Sequence, residues 1–357
     1  MRRFLSGILG KRPRDRGPDR EPAPRDPEGP ETPLPPSLDP AFAPFARVLG
    51  VAPGPPPAPS VADEEEDLRV AGLVIEHFRK NRPGPASAPS LSLQILNLVA
   101  SPRTGAADLA RLVQNDPALA ASVLHVANSA YYRGVAEVES VRDAVARIGL
   151  EEAARVAGAL AAKSLFSPRM RQEFAAFSGM WSDLFLRAVT VATVSASLAM
   201  REPPARSDRA YLGGMLLDVG KSVALRSISA LALDGAVQPS PDRVRRVLEQ
   251  VHLEIGGEVH QEWSLPQYLT VLCVRHHDDV VPAEPEFADL HVVRLVSALE
   301  DLRRDPANSA HAPVEVAQSA GALRVDPHAA RALFAELRTT GERVARTFAP
   351  AQAPAPR

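Results

Sequence analysis

The stretch AYLGGMLLDVGKSVAL, residues 210–225, decides how the chain is read. It closes on Gly220-Lys221-Ser222, the ending of a phosphate-binding loop. That loop needs Gly, four residues, then Gly-Lys-Ser/Thr. Here five residues separate Gly214 from Gly220. They are bulky and apolar, unsuited to wrapping a row of backbone N–H groups around a phosphate. No strand pattern precedes them. The stretch therefore reads as part of a buried helix over 209–232, with Leu217 packing inward and Asp218 as a buried carboxylate that needs a hydrogen-bond partner.

Outward from this stretch the helical pattern repeats. Residues 61–81 have acidic residues at the start and basic ones at the end, matching the helix dipole. Leu68, Ala71, Ile75 and Phe78 fall on one face. Short helices are expected over 105–114 and 117–128, the second opened by Asp116 as N-cap and Pro117 at N1. Ser140 and Asp143 make a capping-box pair before a helix that stops at Gly149. Further helices follow over 151–166, 170–200 (long or broken), 241–262, 266–277, 286–304, 313–321 and 327–348. No segment alternates with a two-residue period, so the fold class is all-α.

Composition agrees. The 357 residues are 45% hydrophobic but only 5% aromatic, with Ala and Leu prominent. The net charge of −2 gives no global drive toward nucleic acid or a membrane surface. A single cysteine, Cys273, excludes an internal disulfide and a cysteine-based zinc cluster, and fits a reducing cytoplasm. No run of about 18 apolar residues suggests a transmembrane helix. Nearly half of the 35 prolines fall between residues 13 and 60. Residues 1–60 are therefore expected to be a disordered arm, with AFAPFARVLG at 41–50 as a short sticky element. The expected organisation is that arm, a lead-in helix at 61–82, a helical domain at 88–290, a C-terminal helical extension at 291–348 and a disordered tail at 349–357. In the extension Ala330, Leu333, Phe334 and Leu337 form a stripe that packs on the domain or makes a homodimer contact.

Four blocks, in this order and spacing, resemble the HDOD domain family: DPALAASVLHVANSAYYR at 116–133, SVRDAVARIGL at 140–150, AYLGGMLLDVGKSVAL at 210–225 and EVHQEWSLPQYLTVLCVRHHD at 258–278. The resemblance implies an all-helical bacterial regulatory module, related to the HD metal phosphohydrolases but mostly non-catalytic. It also implies where HD metal ligands would stand. The adjacent His-Asp pair becomes Leu217-Asp218. The earlier His falls near Asp183 and the later Asp near Ser297. Asp218 alone is a matched ligand, and one carboxylate does not hold a catalytic metal. These positions are expected to be vestigial, with no catalytic residue, metal or cofactor.

Other candidates are weighed beside that reading. His276 and His277, if both helical, point about 100° apart and do not readily share a metal. A rebuilt site would draw on His260, His276 or His277, and His291. The alternative function is then a diverged phosphohydrolase acting on a nucleotide or cyclic dinucleotide. Helix 117–128 with its predecessor resembles a helix-turn-helix by eye, which gives a direct DNA-binding regulator as a second alternative. Its exposed face offers Ser122, His125 and Asn128 but no cation before Arg133, a poor basis for phosphate contacts. Nucleic acid is therefore not the expected partner. The corner Asn128, Ser129, Tyr131 and Tyr132 reads as helix closure or part of a surface for a protein partner. The expected function is signal transduction by protein–protein interaction.

Overall fold

The computed structural model describes residues 39–51, 59–82 and, with short interruptions, 94–348. Described residues form helices and turns only. The helices are α1 (Ala43–Leu49), α2 (Val61–Lys80), α3 (Ala106–Gln114), α4 (Pro117–Ala127), α5 (Val141–Ile148), α6 (Leu150–Lys163), α7 (Arg171–Ala199), α8 (Ser207–Leu216), α9 (Val219–Leu233), α10 (Pro241–Glu262), α11 (Gln267–Arg275), α12 (Ala288–Arg304), α13 (Ala312–Leu323) and α14 (Pro327–Phe348).

Local signals account for several boundaries. Ser140 caps α5 by accepting from the Asp143 N–H at 3.1 Å, and its hydroxyl donates to the Asp143 carboxylate at 2.6 Å. Gly149 ends that helix with φ +85°. Ser60 and Ser240 cap α2 and α10 by accepting from the N–H groups of Asp63 and Arg243. Asp116 lies outside the described residues.

Helices α3–α6 pack on one another around a small aliphatic core that includes Leu109, Val113, Val123, Val126 and Val145. The rest of the body surrounds α7. One side of α7, through Phe185, Val189 and Ala192, packs on α8 and α9 and joins a core cluster that also holds residues of α2 and α10; the other, through Val191, Val194 and Leu198, meets α12 and α14. This double burial explains why Phe177–Ala199 is long and apolar enough to pass for a membrane span, while 72% of that window lies buried within the protein. Helix α12 is covered on most sides by α7, α8, α13 and α14, so the C-terminal helices complete the same core as the helices before them.

Four expectations are corrected. The single helix over 209–232 breaks at Leu217 and Asp218, where Asp218 leaves helical geometry (φ −103°, ψ 22°). The helix over 266–277 ends at Arg275, so His276 and His277 lie beyond it. Leu68 is 66% exposed. The buried face of α2 is instead Asp67, Val70, Ala71, Val74 and Phe78, because Asp67 is drawn inward by Arg243 and Arg246 of α10. Finally, disorder does not extend through 41–50. Phe42, Phe45 and Ala46 bury their side chains, seating α1 on α14; fully removing a Phe side chain from water is worth about 2 kcal/mol.

Candidate functional site: a buried cluster of imidazoles, carboxylates and cations

The break between α8 and α9 creates the site. A continuous helix would commit Asp218 to a helical surface. At the break it occupies the N-cap position without capping its own helix, and its carboxylate turns to neighbouring elements. Helix α10 lies against α9 at very close range: a Cβ on Gly220 would stand 2.0 Å from the carbonyl oxygen of His252. Only glycine permits that approach, which carries His252 up to Asp218. Helix α11 crosses α10 near Gly256, where a Cβ would meet the Cys273 sulfur at 2.6 Å. The turn after α11 then delivers His276 and His277.

Two cations hold the Asp218 carboxylate. Arg187, on α7, donates from Nη1 to Oδ2 of Asp218. Its Nε donates to Oδ1 of Asp301 at 2.9 Å and its Nη2 to the Ser297 hydroxyl at 2.8 Å, both on α12. Lys221 Nζ stands 3.3 Å from Asp218 Oδ1 and donates to Glu249 Oε1 at 2.7 Å. Burial alone would raise the Asp218 carboxyl; Lys221 and Arg187 outweigh it and hold the group well below the usual carboxylate range. Burial opposes the charge on both cations, but Asp301 and Asp218 raise Arg187, and Asp218 and Glu249 raise Lys221, above their ordinary values.

On the other side of Asp218 Oδ1 stand His252 Nε2 at 3.8 Å and His276 Nε2 at 3.9 Å. All three atoms are buried without a hydrogen-bond partner. His277 joins them, its ring centroid 4.0 Å from that of His276. Ligand atoms of His252, His276 and His277 lie within 4.8 Å of one another. The adjacent histidines lie in the turn that follows Arg275, where His276 has φ −69° and ψ −15°. Burial pushes His252 down to about 4, with Lys221 adding to the effect, and burial with His277 holds His276 well below its usual value. Both are neutral imidazoles. His277 moves the other way: burial opposes the proton, but the Glu315 carboxylate at 2.5 Å raises it.

The remaining sequence-derived positions divide cleanly. Leu217 is buried in apolar surroundings and offers no ligand atom. Asp183 points outward, 67% exposed, to Arg304; Arg187, one turn later, takes the position facing Asp218. Ser297 lies in the site and receives Arg187. His260 is buried elsewhere, its proton disfavoured by desolvation down to about 4. His291 spends its nitrogens on the Pro282 carbonyl (2.9 Å) and the Ser319 hydroxyl (3.3 Å). Cys273 is buried, its thiol pushed up to about 12 by desolvation. At the α4 corner Asn128 exchanges hydrogen bonds with the Val138 backbone at 2.8 and 2.9 Å. Tyr132 donates to Glu152, Ser129 N–H bonds the Val126 carbonyl at 3.0 Å, and Tyr131 lies outside the described residues. The HD metal arrangement implied by the family resemblance does not fit: its His positions carry Leu217 and the outward Asp183, and an arginine sits between Asp218 and α12.

Sequence reasoning missed Arg187, Lys221, Glu249, His252, Asp301 and Glu315. One signal was available for His252. It falls between Leu248 and Ile255 on the apolar stripe of α10, where a polar side chain needs a reason.

The HDOD domain model matches residues 86–279, more than half of the chain. This chain belongs to the HDOD family. The match contains Asp218, Lys221, His252, His276 and His277; Ser297, Asp301 and Glu315 lie beyond it. Among solved structures, an HDOD domain protein of unknown function from Geobacter sulfurreducens is similar at 22% identity and TM-score 0.57, covering 78% of this chain and 98% of that one. A protein from Shewanella amazonensis, provisionally named a metal-dependent phosphohydrolase, is similar at 18% identity and TM-score 0.54, covering 79% and 100%. One from Marinobacter aquaeolei, provisionally named a signal transduction protein, is similar at 22% identity and TM-score 0.53, covering 72% and 58%. At these identities the likeness speaks for the fold. No curated protein matches the sequence.

Proposed function

We propose that the protein is a non-catalytic regulatory module that acts by binding a protein partner in bacterial signal transduction. The observation that carries this reading is Arg187. Its guanidinium fills the space between Asp218 and Asp301, which in an HD hydrolase would serve a metal. A fixed cation there neutralises both carboxylates but has no vacant orbital with which to activate water or polarise a phosphoryl oxygen. Leu217 removes the adjacent ligand. Membership in the HDOD family supports the regulatory role.

The test is turnover. Full-length protein incubated with manganese, iron or zinc should leave bis(p-nitrophenyl) phosphate and cyclic dinucleotides unhydrolysed above buffer level. Leu217→His should not change that, because Arg187 and the outward Asp183 remain. Hydrolysis by either protein would overturn the non-catalytic reading in favour of a diverged phosphohydrolase. The protein-binding half fails separately, if the chain shifts duplex DNA with the steep salt dependence of phosphate contacts.

A further inference from the structure

We propose that His252, His276, His277 and Asp218 form a site for one first-row divalent metal ion, zinc foremost, which clips α9, α10 and the turn after α11 together. The site is offset from the vestigial HD position that Arg187 fills, and the inference does not depend on the non-catalytic reading.

Hydrogen-bond directions carry the argument. The Nδ1 atom of each imidazole is engaged away from the cluster. His252 Nδ1 meets the carbonyl oxygens of Glu249 at 2.9 Å and Leu248 at 3.2 Å. His276 Nδ1 meets the Cys273 carbonyl at 2.7 Å, and His277 Nδ1 meets Glu315 Oε1 at 2.5 Å. Carbonyl and carboxylate oxygens only accept, so Nδ1 carries a hydrogen in each ring, and Nε2 is the atom left to bind an ion. Those of His252 and His276 face Asp218 Oδ1, and all three atoms are buried without a hydrogen-bond partner. Apart from the Lys221 ammonium beside Oδ1, no donor among the described residues lies between these acceptors, and gathered acceptors repel and lose their hydration. A water molecule there has only two hydrogens for the three acceptors of Asp218, His252 and His276; a cation receives from all three, and a His277 nitrogen lies within 4.8 Å of the other two imidazoles to join them.

The donor chemistry fits the ion. Three imidazoles and one carboxylate suit zinc and its first-row neighbours, and four protein ligands make the closed shell of a structural site. The His277–Glu315 contact has the form of a carboxylate that orients a metal-bound histidine. Charge fits too: four carboxylates, those of Asp218, Glu249, Asp301 and Glu315, face two fixed cations, Arg187 and Lys221. Lys221, which shares Asp218 Oδ1, keeps Glu249 as a partner when an ion takes that oxygen. His277, with 17% of its side chain exposed, is the open edge by which an ion enters.

The experiment uses full-length protein stripped with a chelator and desalted. Zinc is titrated by calorimetry, and cobalt(II) by its visible absorption, alongside thermal melting. The expected result is one equivalent bound, a nitrogen-rich tetrahedral cobalt spectrum and a raised Tm. His252→Gln and His276→Gln should weaken binding by about 100-fold or more, and Glu315→Gln by about 10–100-fold, with helical circular dichroism retained. His125→Gln, on α4, should bind as the parent does. Less than about a tenth of an equivalent on the parent protein, as a water-filled cluster would give, overturns the proposal. So does parental affinity in His252→Gln or, should that variant fail to fold, in His277→Gln. Phosphodiester turnover by the loaded protein would support the ion site while sinking the non-catalytic reading, so the two fail separately.

Discussion

Asp67 and Asp218 are both buried aspartates held by cations, and they are held to different ends. Both oxygens of Asp67 are taken: Arg243 Nε reaches Oδ1 at 2.8 Å and Arg246 Nε reaches Oδ2 at 2.5 Å. The contact fastens α2 to α10. Asp218 gives Oδ2 to Arg187 but leaves Oδ1 facing a lysine at 3.3 Å and two bare imidazole nitrogens. The first is a finished structural joint. The second retains unspent acceptor capacity, which separates a site from a strut even when residue type, burial and charge partners look alike.

That contrast can be broken by removing each carboxylate in turn. Asp67→Ala leaves Arg246 without its carboxylate and Arg243 with Asp63 alone, and should cost about 3 kcal/mol in chemical denaturation. Asp218→Ala should cost less, about 1–2 kcal/mol, because Arg187 retains Asp301 and Ser297 and Lys221 retains Glu249. Equal losses would show that Asp218 is as structural as Asp67. A smaller effect sharpens the contrast with a buried group that has no charged partner, His260. Its folded pKa is depressed to about 4, so the unfolded chain takes up a proton below about 6.5 while the folded chain does not. Stability from this group is full above that value and falls with pH, by about 1 kcal/mol between pH 7.5 and 5.5, levelling off only near pH 4. His260→Gln should flatten that part of the profile, as read by Tm against pH. An unchanged slope would place the proton uptake elsewhere. The His277–Glu315 pair pulls the other way: its raised His pKa stabilises at low pH, and that contribution is lost as pH rises through it.

The helices were legible because their signals are local. Ser140 with Asp143, and Gly149, act within one turn of chain. The site was legible only in part. Asp218 and Lys221 stand three apart within the quoted stretch, yet nothing in the spacing says that α8 ends between Leu216 and Val219 and turns the carboxylate away. Arg187 looks like a lone charge in an apolar helix until α12 brings Ser297 and Asp301 to it. His276 and His277 look divergent if a helix is carried through them, and convergent once it stops at Arg275. Glu315 sits 38 residues beyond His277, a contact no periodicity contains. In each case the missing information was a crossing between helices or a one-residue helix end.

The seating of α1 on α14 has a mechanical meaning. Phe42 and Phe45 tie the first described helix to the last, so tension applied through both outer segments would converge on this contact before reaching the centre of the fold. Peeling α1 away would lengthen the chain while leaving the α9–α10 crossing unstrained, and the small helix would act as a fuse that yields before the buried cluster feels the load.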